Sequence, residues 1–128
     1  ILVLKDRTIK NIKLPVSAPF HCHLMNNATK IMIEELNKLN FKHAENKLIS
    51  NVTAEEILNE ADLKELLIKQ IENRVRWRES VLNMIKNDVN HFVEIGPGKV
   101  LSGLIKRISK EVKIDTINNL ADIKNLKI

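Results

Sequence analysis

Tyrosine is absent and cysteine nearly so: the 128 residues hold one Cys, three glycines, three prolines and one Trp, and aromatics make up 3%. The lone Cys22 excludes an internal disulfide framework and suits a reducing cytoplasm. With so few rings, Leu, Ile, Val and Met must fill the core. No apolar run approaches the roughly 20 residues that cross a membrane. Ile1-Leu2-Val3-Leu4 is too short for a signal peptide and meets Lys5-Asp6-Arg7 at once. Basic residues are scattered among Glu and Asp without a long run or interleaved aromatics, so the nucleic-acid footprint is missing. No serine lies in G-x-S-x-G: Ser17, Ser50, Ser80, Ser102 and Ser109 all lack that elbow.

What is present reads as a globular chain, 44% hydrophobic and 29% charged, with a net charge of +5. That balance favours acidic partners without naming one. The sequence opens inside an apolar segment without a starting Met and reads as part of something longer. Strands are expected at about Ile1–Leu4 and Ile9–Ser17, with Pro15 and Pro19 marking an edge or a terminus. Asn26 or Asn27 caps a helix running to about Asn40, with Ala28, Met32, Leu36 and Leu39 on one buried face. Lys47–Val52 reads as a buried strand. Thr53 and Glu56 form a capping box that opens a helix lasting to about Gln70.

Trp77, Val81, Met84 and Ile85 mark a further helix to about Asn87. A strand at His91–Ile95, a turn at Gly96-Pro97-Gly98 and a helix carrying Leu101, Leu104, Ile105 and Ile108 follow. Val112–Ile117 is a last strand, and a short helix starts at Leu120. Alternating strands and helices predict an α/β fold with a mainly parallel sheet.

His21 is the first candidate for chemistry. It stands in Pro19-Phe20-His21-Cys22-His23, where a strand should give way to a helix. Active sites gather at such carboxyl ends of strands, and imidazole moves protons near neutral pH. A loop histidine that only bonds backbone fits the same position. His21 and His23 would share a side of an extended strand, but a structural zinc site needs four ligands in spaced pairs. No second pair exists, His43 and His91 stand isolated, and no metal is expected.

Gly96-Pro97-Gly98-Lys99 lacks the spacing of a Walker A loop, since Val100 follows the lysine, and the third glycine of a dinucleotide fingerprint is missing. A tight turn is the expectation, with Lys99 at a helix start open to an anion. Gln70, taken alone, is a surface polar residue.

Four stretches in order resemble the C-terminal part of the malonyl-CoA:acyl carrier protein transacylases. They are Leu14–Met25, Ile49–Ala54, Gln70 with Val75-Arg76-Trp77, and Val93–Leu104. The resemblance implies that residues 1–17 close a small ferredoxin-like subdomain. Residues 18–128 then form the C-terminal part of a large α/β-hydrolase-like parallel-sheet subdomain, with the strands near Ile49 and Val93 adjacent and parallel. It implies ping-pong transfer of malonyl, in fatty acid biosynthesis, from coenzyme A to the phosphopantetheine thiol of acyl carrier protein through an acyl-serine. The coenzyme A thioester is substrate and no bound cofactor is needed.

His21 matches the catalytic base, and Gln70 the position whose backbone carbonyl orients the imidazole. Phe20 matches a malonyl-selective variant, while Asn51 and Val100 fall near the substrate pocket. Lys10, Lys13, Lys106 and Arg107 are candidate contacts for the acidic carrier or for coenzyme A phosphates. The serine elbow would lie in the N-terminal part of the same protein, so this chain alone is expected to be inactive. Two other readings are a non-enzymatic basic binding module on the same fold and a fragment of a polyketide-type acyltransferase domain.

Overall fold

Two parallel strands hold the C-terminal half together: β1 (His91–Ile95) pairs with β2 (Lys113–Ile117), Phe92 opposite Ile114 and Val93 opposite Asp115. A parallel pair needs a crossover, which the helix at Val100–Ile108 supplies. The computed structural model describes residues 18–126. Within them run α1 (Asn26–Asn37), α2 (Glu60–Lys69), α3 (Trp77–Lys86), β1, α4 (Val100–Ile108), β2 and α5 (Leu120–Asn125). The architecture is mixed α/β with a small parallel sheet. The strands expected before Ser17, the ferredoxin-like tail, Lys10 and Lys13 lie outside the described residues.

Local chemistry sets the element ends. A 3-10 turn at His23–Met25 leads into α1, so Met25 rather than an asparagine stands at the cap. The helix stops at Asn37, short of the expected Asn40. Of the expected apolar stripe only Leu36 is buried; Leu39, beyond the helix end, is exposed. Helix α3 presents Val81, the one fully buried large side chain among the described residues, and it packs against α4. Burying such a side chain stabilises by about 1.5–3 kcal/mol. Helix α5 starts with a true capping box, Asn119 with Asp122.

The stretch around Ile49 differs from expectation. No strand forms over Lys47–Val52; Ile49 makes a lone antiparallel bridge to Glu56 and does not neighbour Val93, whose strand partner is Asp115. Ser50 is the reason. Its Oγ accepts from the amides of Val52 (3.1 Å) and Thr53 (3.3 Å), and its carbonyl accepts from Ala54 N at 2.9 Å. These local bonds compete with a sheet ladder and fold the chain back through Ala54, which sits at φ +64.

The capping box expected at Thr53 is absent for the same reason: Thr53 Oγ1 accepts from Glu55 N inside this turn. Helix α2 begins later, at Glu60, where the Asn59 side chain accepts from Asp62 N at 2.9 Å. His91 and His43, which belong to no metal-ligand cluster among the described residues, each have one carboxylate nearby. His91 Nε2 lies 2.7 Å from Asp115 Oδ2 across the strand pair, and His43 is 3.8 Å from Glu60.

Candidate active site

The last carbonyls of an α-helix have no partner within the helix. At the end of α2 the carbonyl of its C-cap, Gln70, and that of Ile71 just beyond are taken by a single residue 49 positions away from the first. His21 donates its backbone N–H to Ile71 O at 3.2 Å, and its ring Nδ1 stands 2.8 Å from Gln70 O. A carbonyl only accepts, so Nδ1 carries a ring proton, and in the neutral imidazole the lone pair then lies on Nε2. The backbone at His21 has φ +61, the left-handed region that few residues other than glycine enter. That turn lets one residue reach the helix end with both its amide and its ring. The side chain stays exposed.

An open, mainly apolar cavity of about 400 Å³ adjoins the ring, walled by Phe20, Met25, Met32, Leu36, Leu67 and Ile71 together with His21 and Gln70. Phe20 is exposed at its rim. A smaller cavity of about 170 Å³ beside Lys42–Leu48 shares no residue with this one. Asn51 is not on the cavity wall. Its Nδ2 donates to Gln70 Oε1 at 3.0 Å, and its carbonyl accepts from Arg76 N at 2.8 Å. Arg76 Nη1 in turn reaches Thr53 O at 2.9 Å, tying the start of α3 to the Ser50 turn.

The second junction is the turn after β1. Gly96 (φ +136) and Gly98 (φ +102) occupy conformations that side chains rarely adopt, so glycine is required at both. Gly96 N donates to Ile117 O at 3.0 Å and Gly98 N to Asn118 Oδ1 at 2.7 Å, which fixes the turn to the end of β2. Val100 opens α4 and is largely exposed, while Lys106 and Arg107 lie exposed in its last turn.

Glu94 had no role in the sequence reading and has one here: its carboxylate accepts from Leu101 N at 3.1 Å and Ser102 N at 2.7 Å. It thereby caps α4 from the neighbouring strand, where the helix dipole favours negative charge. The Ser102 hydroxyl and amide, then the Leu101 and Val100 amides, hold the Glu94 carboxyl below the usual glutamate range against the opposing effect of desolvation. Of the two Ser102 groups the amide is the well-aligned donor; the buried hydroxyl has no partner in good hydrogen-bond geometry.

A depressed folded-state pKa means that this stabilisation is present above the ordinary glutamate range and lost as pH falls through the lowered value. Glu94→Gln is therefore expected to unfold at lower denaturant than the parent at pH 7, with the gap closing under acid. Denaturant midpoints at several pH values check this, and a gap independent of pH would contradict it.

Among the described residues no three His, Cys, Asp or Glu side chains converge as metal ligands, and no helix is long and apolar enough to cross a membrane. No family model matches the chain. A malonyl CoA-acyl carrier protein transacylase from Bacillus subtilis is 43% identical over 108 residues, which are 84% of this chain and 34% of that protein. The chain matches a C-terminal portion of the malonyl CoA-acyl carrier protein transacylase family.

A transacylase of the same name from Staphylococcus aureus is 38% identical over 111 residues, 87% of this chain and 36% of its own length. An acyl carrier protein S-malonyltransferase from Vibrio cholerae superposes with a TM-score of 0.87 at 35% identity, covering 98% of this chain and 42% of the enzyme. A malonyl-transacylase solved in complex with its type II PKS acyl-carrier protein gives 0.85 at 31% identity, over 94% of this chain and 40% of its own. The chain thus spans about a third of the length of the curated transacylases it matches. Their fold extends beyond it, and the two-stranded sheet is a part of theirs.

Proposed function

We propose that this chain is the histidine-bearing portion of a transacylase that moves malonyl from malonyl-CoA to the phosphopantetheine thiol of an acyl carrier protein, in fatty acid biosynthesis. The observation that carries the proposal is the His21 Nδ1 to Gln70 carbonyl bond of 2.8 Å. It leaves Nε2 as the free base. In the first half-reaction Nε2 takes the proton of a serine hydroxyl as that oxygen attacks the thioester carbonyl. The proton then passes to the departing coenzyme A thiolate. In the second half-reaction Nε2 accepts the carrier thiol's proton, the thiolate attacks the acyl-serine, and the proton returns to the serine oxygen.

A neutral carbonyl replaces the carboxylate of the usual triad. It fixes the tautomer but offsets the imidazolium charge less than aspartate does; the negative end of the α2 dipole adds to it. The serine belongs to the N-terminal portion of the protein, and residues 18–128 to its large α/β-hydrolase-like subdomain. No bound cofactor enters these steps.

Phe20 narrows the acyl side of the cavity, and Val100 at the start of α4 borders the substrate. Lys106 and Arg107 offer charge to an acidic carrier or to coenzyme A phosphates. The type II PKS carrier seen with one relative supports a second reading of the same chemistry, in which the carrier serves polyketide assembly.

The complete protein, given malonyl-CoA and holo acyl carrier protein, should form malonyl-carrier and free coenzyme A with ping-pong kinetics. Binding of carrier without transfer would favour the non-enzymatic module instead. Reversing the charges of Lys106 and Arg107 should raise the KM for carrier protein and leave that for malonyl-CoA in place. An unchanged carrier KM would remove both from the docking face.

A further inference from the structure

The ring of His21 is only as well placed as the carbonyl that holds it, and that carbonyl ends a helix. Helix ends fray, and their last carbonyls are the easiest part of the ladder to displace. The Gln70 carbonyl therefore needs an anchor outside α2, and its own side chain supplies one. Gln70 Oε1 accepts from Asn51 Nδ2 at 3.0 Å in a half-buried contact.

Asn51 is itself anchored without help from α2. Its carbonyl accepts from Arg76 N at 2.8 Å, and the next two amides are capped by Ser50 Oγ. The Arg76 guanidinium bonds to Thr53 O on the far side of the same turn. The turn is a fixed post, and the asparagine amide is a strut from that post to the residue carrying the acceptor.

We infer that Asn51 acts as a positioning residue: through the Gln70 side chain it holds the Gln70 carbonyl where it keeps His21 in the Nδ1–H tautomer. This rests on the reading of His21 as the base and adds to it. A role for the Gln70 carbonyl alone makes that residue's side chain irrelevant; the strut makes it matter. It also gives Asn51 a part in supporting the histidine, one of its two Nδ2 hydrogens being donated to Gln70.

The test uses Asn51→Ala and Gln70→Met, the second nearly isosteric so that burial persists if the first fails to fold. Gln70→Glu keeps an oxygen for the Asn51 amide. Ring 15N shifts of His21 in the complete transacylase report the tautomer directly. Malonyl loading by the complete transacylase gives kcat and KM. Small misplacements of a reacting group lower rates by up to about 100-fold.

Both breaking variants should lower kcat by about 10- to 100-fold with the malonyl-CoA KM held, and both should mix in the Nε2–H tautomer. The double variant should be no worse than the worse single, as for residues acting through one contact, and Gln70→Glu should restore the tautomer. A wild-type tautomer and kcat in Gln70→Met would overturn the inference. So would a raised KM at constant kcat in Asn51→Ala, which is the mark of a substrate contact. Wild-type turnover in His21→Ala would sink the base reading separately, because the tautomer shift would still report the strut.

Discussion

Replacing His21 by alanine in the complete transacylase is expected to lower malonyl transfer by about 10²–10⁴-fold while the fold persists. The loss lies toward the upper end if serine and histidine act as a unit, because removing either then removes the function of both. Folding should survive because the ring is exposed, and residues 18–25 keep other bonds, among them Phe20 N to Ala18 O and Met25 N to Cys22 O. The backbone bond from His21 N to Ile71 O does not depend on the side chain. His21→Asn offers a control, since a short amide tolerates the φ of +61 better than alanine. Loading of the enzyme with radiolabelled malonyl, followed beside circular dichroism, separates the two effects. Wild-type loading in either variant would remove His21 from the chemistry.

The second large effect is on selectivity. Phe20 stands immediately before His21 and walls the cavity into which the imidazole faces. On the proposed function, an α-methyl branch on the malonyl unit would compete with this ring for room. Packing of that kind discriminates by about 1–3 kcal/mol per methyl, or roughly 10–200-fold. Phe20→Ala should therefore reduce the preference for malonyl-CoA over methylmalonyl-CoA by roughly tenfold or more, mainly by raising kcat/KM for the branched substrate. Competition between the two thioesters in one reaction measures it. An unchanged ratio would show that selectivity resides elsewhere in the complete site.

The sequence carried some of this architecture openly. The strand at His91–Ile95, the glycine turn and the amphipathic α4 stand where period and punctuation place them, because each is decided by residues within a few positions. The stretch around Ile49 misled for the complementary reason. Its apolar run is short enough to read as a strand, yet one serine side chain captures the next amides and closes a turn. Glu94 escaped notice because its partners are amides in the following helix, and amides carry no sequence signature.

The pairing of His21 with the Gln70 carbonyl is of the same kind: 49 residues separate donor from acceptor. Only likeness to a known family drew attention to Gln70. Nothing in local pattern links Asn51 to Gln70 across 19 residues; the likeness placed Asn51 near the substrate pocket, and its bond to the Gln70 side chain is legible only in the fold.

The central claim is that the Gln70 carbonyl and the end of α2 aim the unprotonated Nε2 of His21 at a serine. A crystal structure of the complete transacylase measures this most directly. The account predicts Nε2 within about 2.6–3.2 Å of a serine Oγ, with Nδ1 still on the Gln70 carbonyl. An Nε2 that faces solvent with no hydroxyl or thiol in reach, or an Nδ1 that has left Gln70, would contradict it.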